Sequence, residues 1–508
     1  MLGRTTGAVL YGLDARLVEV EADLGTGIPT IAAVGLPDPA VREGIDRIRA
    51  ALGNAGFKLP QRRVIVNLAP AEIRKRGATL DLPIAVALLI ADRQLPALDH
   101  HSIVLVGELA LDGSVRPVRG MLSLALSVRE AGRRTLLVPK ANAEEACLVE
   151  GIEIVPVASL GDMVTISRGS PVVRRSVNVE RVLESSRICA GGQDLAEVRG
   201  QAGARRALEV AAAGGHHLLL LGPPGAGKSM MARRMPGILP PLSLQEALEV
   251  TRIHSVAGRA RGLVVGRPFR SPHHGISLVG LTGGGRGMRP GEISLASHGV
   301  LFLDELTEFR RDALEALRQP LEDGEITVVR VHGAATFPAR FTLVASMNPC
   351  PCGYYGSPDG RCSCSPQQVR RYGSKLSGPL LDRFDLVVEV PPVELKSLAE
   401  ASPGESSEAV RERVVAARRR QRERFGPHGP SCNTRMESSD LERHAAIDQS
   451  GRRLLLAACD RLGLSARGFD RVRRVARTLA DIDGAGSIEA SHVAEALQYR
   501  HPEILAPD

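Results

Sequence analysis

The chain has 508 residues, which predicts about three folded units and excludes a single hydrophobic core. Its hydrophobic content of 44% and charged content of 24% are ordinary for a folded soluble protein. The net charge of +8 is compatible with a nucleic-acid partner without requiring one. Aromatic residues make up 3% of the chain and Trp is absent, so any nucleic-acid contact should be mainly with phosphates.

The sequence shows no pattern typical of a membrane segment or of export. Its longest apolar run, residues 84–91, is far shorter than the roughly 18 residues that span a bilayer, and the amino terminus lacks a signal-peptide hydrophobic region. We therefore expect a cytoplasmic protein with no membrane partner. The eight cysteines are then expected to be thiols or metal ligands rather than a disulfide framework.

The first predicted unit, residues 1–170, alternates apolar strands and helices and lacks a phosphate-binding loop. Strands are predicted at 64–68, 103–106 and 135–138, and helices at 82–91 and 121–131. A linker is predicted at 171–193, followed by a nucleotide-binding core at 194–395 and a helical unit at 396–508. The fold class expected from this order is a multidomain α/β protein with a helical carboxy-terminal part.

An apolar strand, Leu218 to Leu221, runs directly into a loop of Gly-x-x-x-x-Gly-Lys-Ser form. Glycines allow backbone N–H groups to turn around phosphate oxygens, and the following helix directs its positive end to the same charge. Lys228 should then reach the β- and γ-phosphates and Ser229 should ligate magnesium. The predicted nucleotide-binding residues are Gly222, Pro223, Pro224, Gly225, Ala226, Gly227, Lys228 and Ser229. The alternative is a chance glycine-rich turn.

Two acids follow a second apolar strand, and an amide follows a third. Asp304 is placed to hold magnesium together with Ser229, and Glu305 to polarise the attacking water as a general base. The alternative is a pair of solvated acids. Asn348 is suited to orienting water against the γ-phosphate, unless it only starts the turn at the following proline.

Two arginines are candidates for contact with the phosphates. Arg383 lies near a predicted helix end, and an arginine supplied from a neighbouring subunit of a ring can stabilise the transferred phosphoryl group. Considered alone, Arg383 is better explained by a salt bridge within the chain to Asp382 or Asp385. Arg467 starts a carboxy-terminal helix that could return to the nucleotide.

Four cysteines lie in one insertion, residues 350–364, between Asn348 and Arg383: Cys350, Cys352, Cys362 and Cys364. Four thiolates can bind a structural zinc ion and fix a loop that has little core of its own. The one-residue spacing within each pair is shorter than usual, so free thiols and a redox disulfide remain alternatives. The other cysteines are isolated.

Together these motifs resemble an AAA+ ATPase, a P-loop αβα core with a parallel sheet and a helical lid. The segments 269–274, 290–296, 298–306 and 377–385 are similar to the magnesium-chelatase-like ATPases of the ComM (YifB) family, over essentially the whole chain. The resemblance implies ATP and Mg²⁺ as cofactors and identifies Lys228 and Ser229 as Walker A and Asp304 and Glu305 as Walker B. It further identifies Asn348 as sensor 1, Arg383 as the arginine finger and Arg467 as sensor 2.

The resemblance also implies a homo-hexameric DNA motor that carries out branch migration of recombination intermediates, with helicase-like action on branched or single-stranded DNA. Two segments support this, because residues 280–290 carry Arg286 and Arg289 and a predicted β-hairpin at 325–337 carries Arg330 and His332. The alternative is two surface loops with scattered basic residues. The seven arginines of 411–424 fit a solvated helix face at least as well as a DNA contact.

The amino-terminal unit resembles the proteolytic domain of Lon, through 107–118 and 135–140. Such a protease needs a serine activated by a lysine, but the corresponding segments offer only Thr79 and Ser123 without a nearby base. We expect a domain without proteolytic activity. The main alternative function is a protein-remodelling motor of the magnesium-chelatase type, and the expectation that chelatase motor subunits resemble only the middle and last units argues against it. A nucleotide-dependent scaffold with little turnover is disfavoured by the complete set of hydrolytic residues.

Overall fold

The computed structural model describes residues 2–168, 193–260, 262–330, 333–357, 360–392, 404–427 and 429–500. The predicted linker at 171–193 lies outside this part, except for its last residue. None of the helices described is long and apolar enough to cross a membrane.

The amino-terminal part is α/β, as predicted. Its strands are β1 (Leu2–Tyr11), β2 (Asp14–Gly25), β3 (Thr30–Val34), β4 (Arg63–Ala69), β5 (Ile103–Leu105), β6 (Glu108–Leu109), β7 (Val115–Arg116), β8 (Thr135–Pro139) and β9 (Glu153–Val157). Its helices are Pro39–Asn54, Asp81–Ala91, Met121–Glu130, Ala143–Ala146 and Leu160–Ser167. A mixed sheet has the order β1-β2-β4-β3, and β5-β8-β9 form a parallel sheet. Helix Asp81–Ala91 packs on the mixed sheet and is almost entirely buried, which explains its apolar sequence.

The middle part contains the strands β10 (Leu218–Leu221), β11 (Phe269–Arg270), β12 (Gly283–Gly284), β13 (Arg289–Pro290), β14 (Val300–Leu303), β15 (Glu325–Arg330), β16 (Gly333–Pro338), β17 (Thr342–Met347) and β18 (Leu386–Glu389). Its helices are Ala202–Gly214, Lys228–Ile238, Leu244–Val256, Leu278–Thr282, Glu292–Leu295, Arg311–Glu315, Arg318–Asp323, Pro366–Gly373 and Gly378–Leu381. The predicted hairpin is present as the antiparallel pair β15 and β16.

A five-stranded parallel sheet organises the middle part, in the order β11-β14-β17-β10-β18. Strand β10 is buried on both faces, because Leu218 and Leu220 pack into one apolar cluster and Leu219 and Leu221 into another. Because β10, β14 and β17 are parallel, their carboxyl ends meet at one edge of the sheet, where ligands bind in open α/β sheets.

The carboxy-terminal part is helical, as predicted. Its helices are Ser407–Phe425, Ser438–His444, Gln449–Leu462, Ala466–Asp483 and Ala490–Gln498. They share an apolar core with one face of the parallel sheet, since Val414 and Leu479 belong to the same cluster as Leu218. Helix Leu244–Val256 connects the middle part to the amino-terminal part, because Arg252 bonds to the carbonyl of Leu13 at 3.0 Å.

Candidate nucleotide-binding site

The loop between β10 and helix Lys228–Ile238 has the backbone that the motif predicts. Gly225 and Gly227 have φ of 79° and 89°, in the left-handed region that favours glycine. A Cβ at Gly222 would overlap the carbonyl oxygen of Val390, whereas a Cβ at Gly225 would meet nothing within 4 Å. The loop is thus packed where it leaves the sheet and open at its tip.

The amine of Lys228 lies inside this loop. Its Nζ donates hydrogen bonds to the carbonyls of Gly222 at 2.6 Å and Pro223 at 2.8 Å, and to Oδ1 of Asn348 at 3.1 Å. The chain therefore brings together the predicted Lys and Asn, which are 120 residues apart. All three partners are uncharged, so the positive charge of the protonated Lys228 amine is available to phosphate oxygens.

Burial lowers the pKa of Lys228 to about 8. The charges of Asp304 and Glu305 raise this pKa, but by less than burial lowers it. The amine is therefore close to its titration midpoint at slightly alkaline pH.

Asp304 lies at the end of β14, beside Ser229. The Ser229 hydroxyl donates to Oδ2 of Asp304 at 2.7 Å, so the two predicted magnesium ligands are adjacent. The other carboxylate oxygen accepts a hydrogen bond from Ser346 of β17. A carboxylate and a hydroxyl are oxygen ligands of the kind that Mg²⁺ prefers.

Glu305 is exposed and held in an unusual backbone conformation. Its φ is 54°, which is uncommon for a residue with a side chain and is frequent at functional sites. Its N–H donates to the Ser346 hydroxyl at 3.3 Å, and its carboxylate lies 3.7 Å from Nδ1 of His274. With 57% of its side chain exposed, the carboxylate is accessible to water, as a general base must be.

Ser346 and His274 contact the predicted acids, but no role is predicted for either from the sequence. Ser346 stands in a uniformly buried strand that also contains Thr342, and a serine there carries no signal of its own. His274 belongs to a segment used for the family resemblance, but its place near Glu305 depends on the pairing of the preceding strand β11 with β14.

These residues fit a magnesium-bound nucleoside triphosphate. Lys228 and the backbone N–H groups of the open loop would hold the phosphates, and Ser229 with Asp304 would hold Mg²⁺. The ion would supply charge neutralisation on the phosphate oxygens. Glu305 and Asn348 would orient the attacking water.

Neither predicted arginine contacts this site in its own chain, as far as the described residues show. Arg383 is largely buried and pairs with Glu322 on helix Arg318–Asp323, so the alternative salt bridges to Asp382 and Asp385 do not form. The side chain of Arg467 is exposed and makes no hydrogen bond or ion pair within the described residues.

The two acids flanking Arg383 pair with the lid instead. Arg471 lies 3.5 Å from Asp382 and 3.8 Å from Asp385. Burial raises the pKa of Asp385, but the hydrogen bond from His216 and the nearby positive charges outweigh it and hold that pKa far below its usual range. The ionised Asp385 thus ties the lid helix Ala466–Asp483 to β18.

The four cysteines of the insertion converge. All four Sγ atoms lie within 4.8 Å of one another. Hydrogen bonds from the backbone N–H groups of Tyr354 and Ser363 lower the pKa of Cys352 to about 6. A backbone hydrogen bond lowers the pKa of Cys364, but burial and the adjacent thiols raise it more, to about 12. Thiols this close oppose each other's ionisation unless a cation is shared.

The segments that resemble Lon hold no serine–lysine pair in the described residues. The Thr79 hydroxyl donates to the carbonyl of Ala8 at 2.9 Å. The buried Ser123 hydroxyl accepts from Nε of Arg252 at 3.2 Å. Both hydroxyls therefore take part in structural hydrogen bonds.

Comparison with known proteins assigns the whole chain to one family. Residues 194–398 match the family model described as magnesium chelatase, subunit ChlI, and residues 404–500 match its C-terminal model. Residues 20–142 match a model described as subunit ChlI of Mg-chelatase. The expectation that chelatase subunits resemble only the middle and last units is therefore wrong.

Full-length relatives agree with these models. The chain is 44% identical to competence protein ComM of Haemophilus influenzae over 494 residues, covering 96% of this chain and 95% of the relative. It is 43% identical to the uncharacterised protein YifB of Escherichia coli over 492 residues, again 96% and 95%. An archaeal Lon protease of Methanothermobacter thermautotrophicus is 27% identical over 138 residues, 26% of this chain and 21% of that protein. The chain belongs to the magnesium-chelatase-like AAA+ ATPases of the ComM and YifB family, whose cofactors are ATP and Mg²⁺.

Proposed function

We propose that this protein is an ATP-driven homo-hexameric ring motor that moves on branched or single-stranded DNA, with branch migration of recombination intermediates as its activity. The observation that carries the proposal is a surface of arginines that form no ion pair among the described residues. They lie on two segments that contact each other, the glycine-rich segment 283–290 and the β15–β16 hairpin. One relative is named a competence protein, which agrees with a DNA substrate.

The two segments form one surface. A Cβ on Gly284 would lie 2.9 Å from Cγ1 of Val328 and 3.4 Å from Nε of Arg330, so the glycine-rich strand runs directly beside the hairpin. Strands β12 and β13 make the segment ordered rather than freely flexible.

The arginines on this surface are free to bind phosphate. Arg289 and Arg330 are exposed, and neither forms an ion pair within the part of the chain that the structure describes. Burial, and then the nearby charge of Arg119, lower the pKa of Arg289. Like charges held close together favour a polyanion. The Arg286 side chain and His332 lie outside the described residues.

The arginine-rich helix Ser407–Phe425 has another role. Arg418 donates to the carbonyl of Ala212 at 3.0 Å, and Arg424 pairs with the buried Asp481. These contacts tie the helix to the core and the lid, so we do not include it in the DNA-binding surface.

The active site proposed for the ring is shared between neighbouring subunits. Lys228, Ser229, Asp304, Glu305 and Asn348 converge in one chain, while Arg383 pairs with Glu322 elsewhere on that chain. We propose that Arg383 completes the site of the adjacent subunit, where its planar charge stabilises the transferred phosphoryl group. The role of Arg467 as a second sensor remains a prediction.

Two smaller proposals accompany this function. The four cysteines hold Zn²⁺ in a structural site, because their sulfur atoms already form a compact cluster. The amino-terminal domain is not proteolytic, because Thr79 and Ser123 bond to groups that cannot act as a base. ATP-dependent degradation of casein by the purified protein would contradict the second proposal.

A protein-remodelling motor is the second candidate function. The match of all three parts of the chain to magnesium-chelatase models favours it. The two functions differ in whether DNA stimulates ATP hydrolysis.

The test compares ATP hydrolysis with and without four-way junction DNA, for the wild type and for a double variant, Arg289→Ala with Arg330→Ala. The control is the double variant Arg310→Ala with Arg419→Ala, since those arginines are exposed and pair locally with Asp312 and Glu423. We expect DNA to stimulate the wild type and the control. The Arg289/Arg330 variant should bind DNA more weakly, with the slope of log affinity against log salt reduced by about 1 to 2.

Absence of both ATPase stimulation and junction dissociation at low salt would favour the protein-remodelling motor. An equal loss of DNA binding in both double variants would argue against the proposed surface.

A further inference from the structure

Three sulfur atoms of the cysteine insertion have separations close to those of a tetrahedral zinc site, and the fourth, of Cys364, lies within 4.8 Å of them. With Zn–S bonds of about 2.3 Å, tetrahedral geometry requires neighbouring sulfurs to be about 3.8 Å apart. The Cys350–Cys362 and Cys352–Cys362 separations are 3.8 and 3.6 Å, and the Cys350–Cys352 separation is 3.3 Å. A disulfide bond needs about 2.05 Å, so these atoms are spaced for a shared ligand rather than for a bond.

Apolar burial and regular secondary structure contribute little to the shape of the insertion in its described residues. Between Asn348 and helix Pro366–Gly373 no helix or strand forms in the described residues. Of the described residues 351–365, only Gly353 is buried. A bound metal can order a loop with so little apolar burial, as it does in small zinc-binding domains.

This loop contacts the nucleotide site directly. Gly353 has a φ of 87°, and a Cβ there would lie 2.6 Å from Cδ of Pro224 and 3.8 Å from Cγ of Asn348. The first cysteine, Cys350, follows Asn348 by two residues. Asn348 in turn bonds to Lys228. A cation at the four thiols would therefore fix one wall of the phosphate loop and the backbone that carries Asn348.

We propose that Cys350, Cys352, Cys362 and Cys364 bind one Zn²⁺ per subunit and that this ion positions Pro224 and Asn348 for nucleotide binding. The ion is structural and does not touch the reacting atoms. The inference rests on the proposed ATPase site, but it is independent of DNA. Loss of the metal loosens the phosphate loop and reduces nucleotide affinity.

The first experiment measures metal content. Elemental analysis of the full chain, purified without chelator, should find about one zinc per subunit. The variants Cys352→Ser and Cys362→Ser should lose the metal, whereas Cys459→Ser, on helix Gln449–Leu462, should retain it. A wild type without zinc, even after incubation with ZnCl₂ under reducing conditions, would overturn the proposal.

The second experiment tests the connection to the nucleotide site and uses variants that retain all four cysteines. Gly353→Ala places a Cβ against Pro224, whereas Gly360→Ala, in the same loop and also at positive φ, 62°, meets nothing within 4 Å. Both variants should retain zinc. Affinity for a fluorescent ATP analogue should fall on the order of tenfold in Gly353→Ala and should change little in Gly360→Ala. A loss of about tenfold is a moderate effect, since misplacing a binding group by about 1 Å can cost far more.

Equal nucleotide affinity in the two glycine variants would overturn the positioning role. So would a cysteine variant that loses zinc but binds nucleotide like the wild type. A protein that holds zinc and shows these effects, but whose ATPase ignores DNA, would contradict the proposed DNA motor and leave this inference intact.

Discussion

The replacement Ser346→Ala tests whether Ser346 organises the two acids of the site. Its hydroxyl donates to Oδ1 of Asp304 and accepts the N–H of Glu305 at 3.3 Å. Ser346 is 1% exposed, so water cannot replace the lost hydroxyl. The replacement removes one hydrogen bond to a charged group and leaves a backbone N–H without a partner.

The expected loss follows from the hydrogen bond to the carboxylate. Such a bond contributes about 1.5–3 kcal/mol, which corresponds to roughly a 10- to 150-fold effect. Because Asp304 is the proposed magnesium ligand and Glu305 the proposed base, we expect the effect in the Mg²⁺ dependence and in kcat. Nucleotide binding measured without Mg²⁺ should change little, since Lys228 does not contact Ser346.

The assay is steady-state ATP hydrolysis over a range of Mg²⁺ concentrations, with nucleotide binding measured separately in EDTA. The matched control is Ser294→Ala, because Ser294 is also buried and its hydroxyl has no hydrogen-bond partner in the described residues. If Ser346→Ala and Ser294→Ala had the same kcat and Mg²⁺ dependence, the assigned role of Ser346 would be refuted.

Three further predictions concern the residues of the site. Glu305→Gln should lower kcat about 100-fold or more while ATP still binds. The control is Glu308→Gln, which should hydrolyse ATP normally, because the exposed carboxylate of Glu308 pairs with Lys375. Equal rates for the two variants would contradict the general-base role. Arg383→Ala and Lys228→Ala should each abolish ATP hydrolysis. Mixing the two variants should restore part of the activity, since one retains Lys228 and the other retains Arg383. If the mixture were no more active than the separate proteins, the proposal of a shared site would be contradicted. Nucleotide affinity should fall as pH rises above about 8, by up to about tenfold per pH unit, because the lowered pKa of Lys228 leaves a neutral amine that must take up a proton to bind phosphate. Calorimetry in buffers of different ionisation enthalpy detects the uptake of this proton. If no proton were taken up at about pH 9, the role of the lowered pKa would be contradicted.

The predicted elements of the amino-terminal part agree with the structure to within one or two residues, but several strands, among them β1, β2, β3 and β9, are absent from the prediction. The reason is visible in β1, where Thr5 and Thr6 are buried and interrupt the apolar pattern. Their hydroxyls donate to the carbonyls of Pro83 and His100, which are 78 and 94 residues away. A polar residue of this kind is compatible with a buried strand only once its distant partner is known.

The phosphate loop could be identified from sequence alone, because its chemistry depends on eight consecutive residues and on the strand and helix that flank them. Asp304 and Asn348 could be identified for a related reason, since each directly follows an apolar strand and parallel strands end at one edge of the sheet. Local order along the chain therefore determined which residues are candidates for nucleotide binding.

The tertiary structure alone decided how those residues are supported and which charges remain free. Ser346, His274 and Gly353 reach the site through strand pairing and loop packing that no short pattern records. The arginines divide in the same way. Arg418 and Arg424 are used within the chain, whereas Arg289 and Arg330 have no ion pair among the described residues. The sequence shows that an arginine is charged. Whether an acid or a carbonyl lies beside it depends on contacts between residues far apart in the chain.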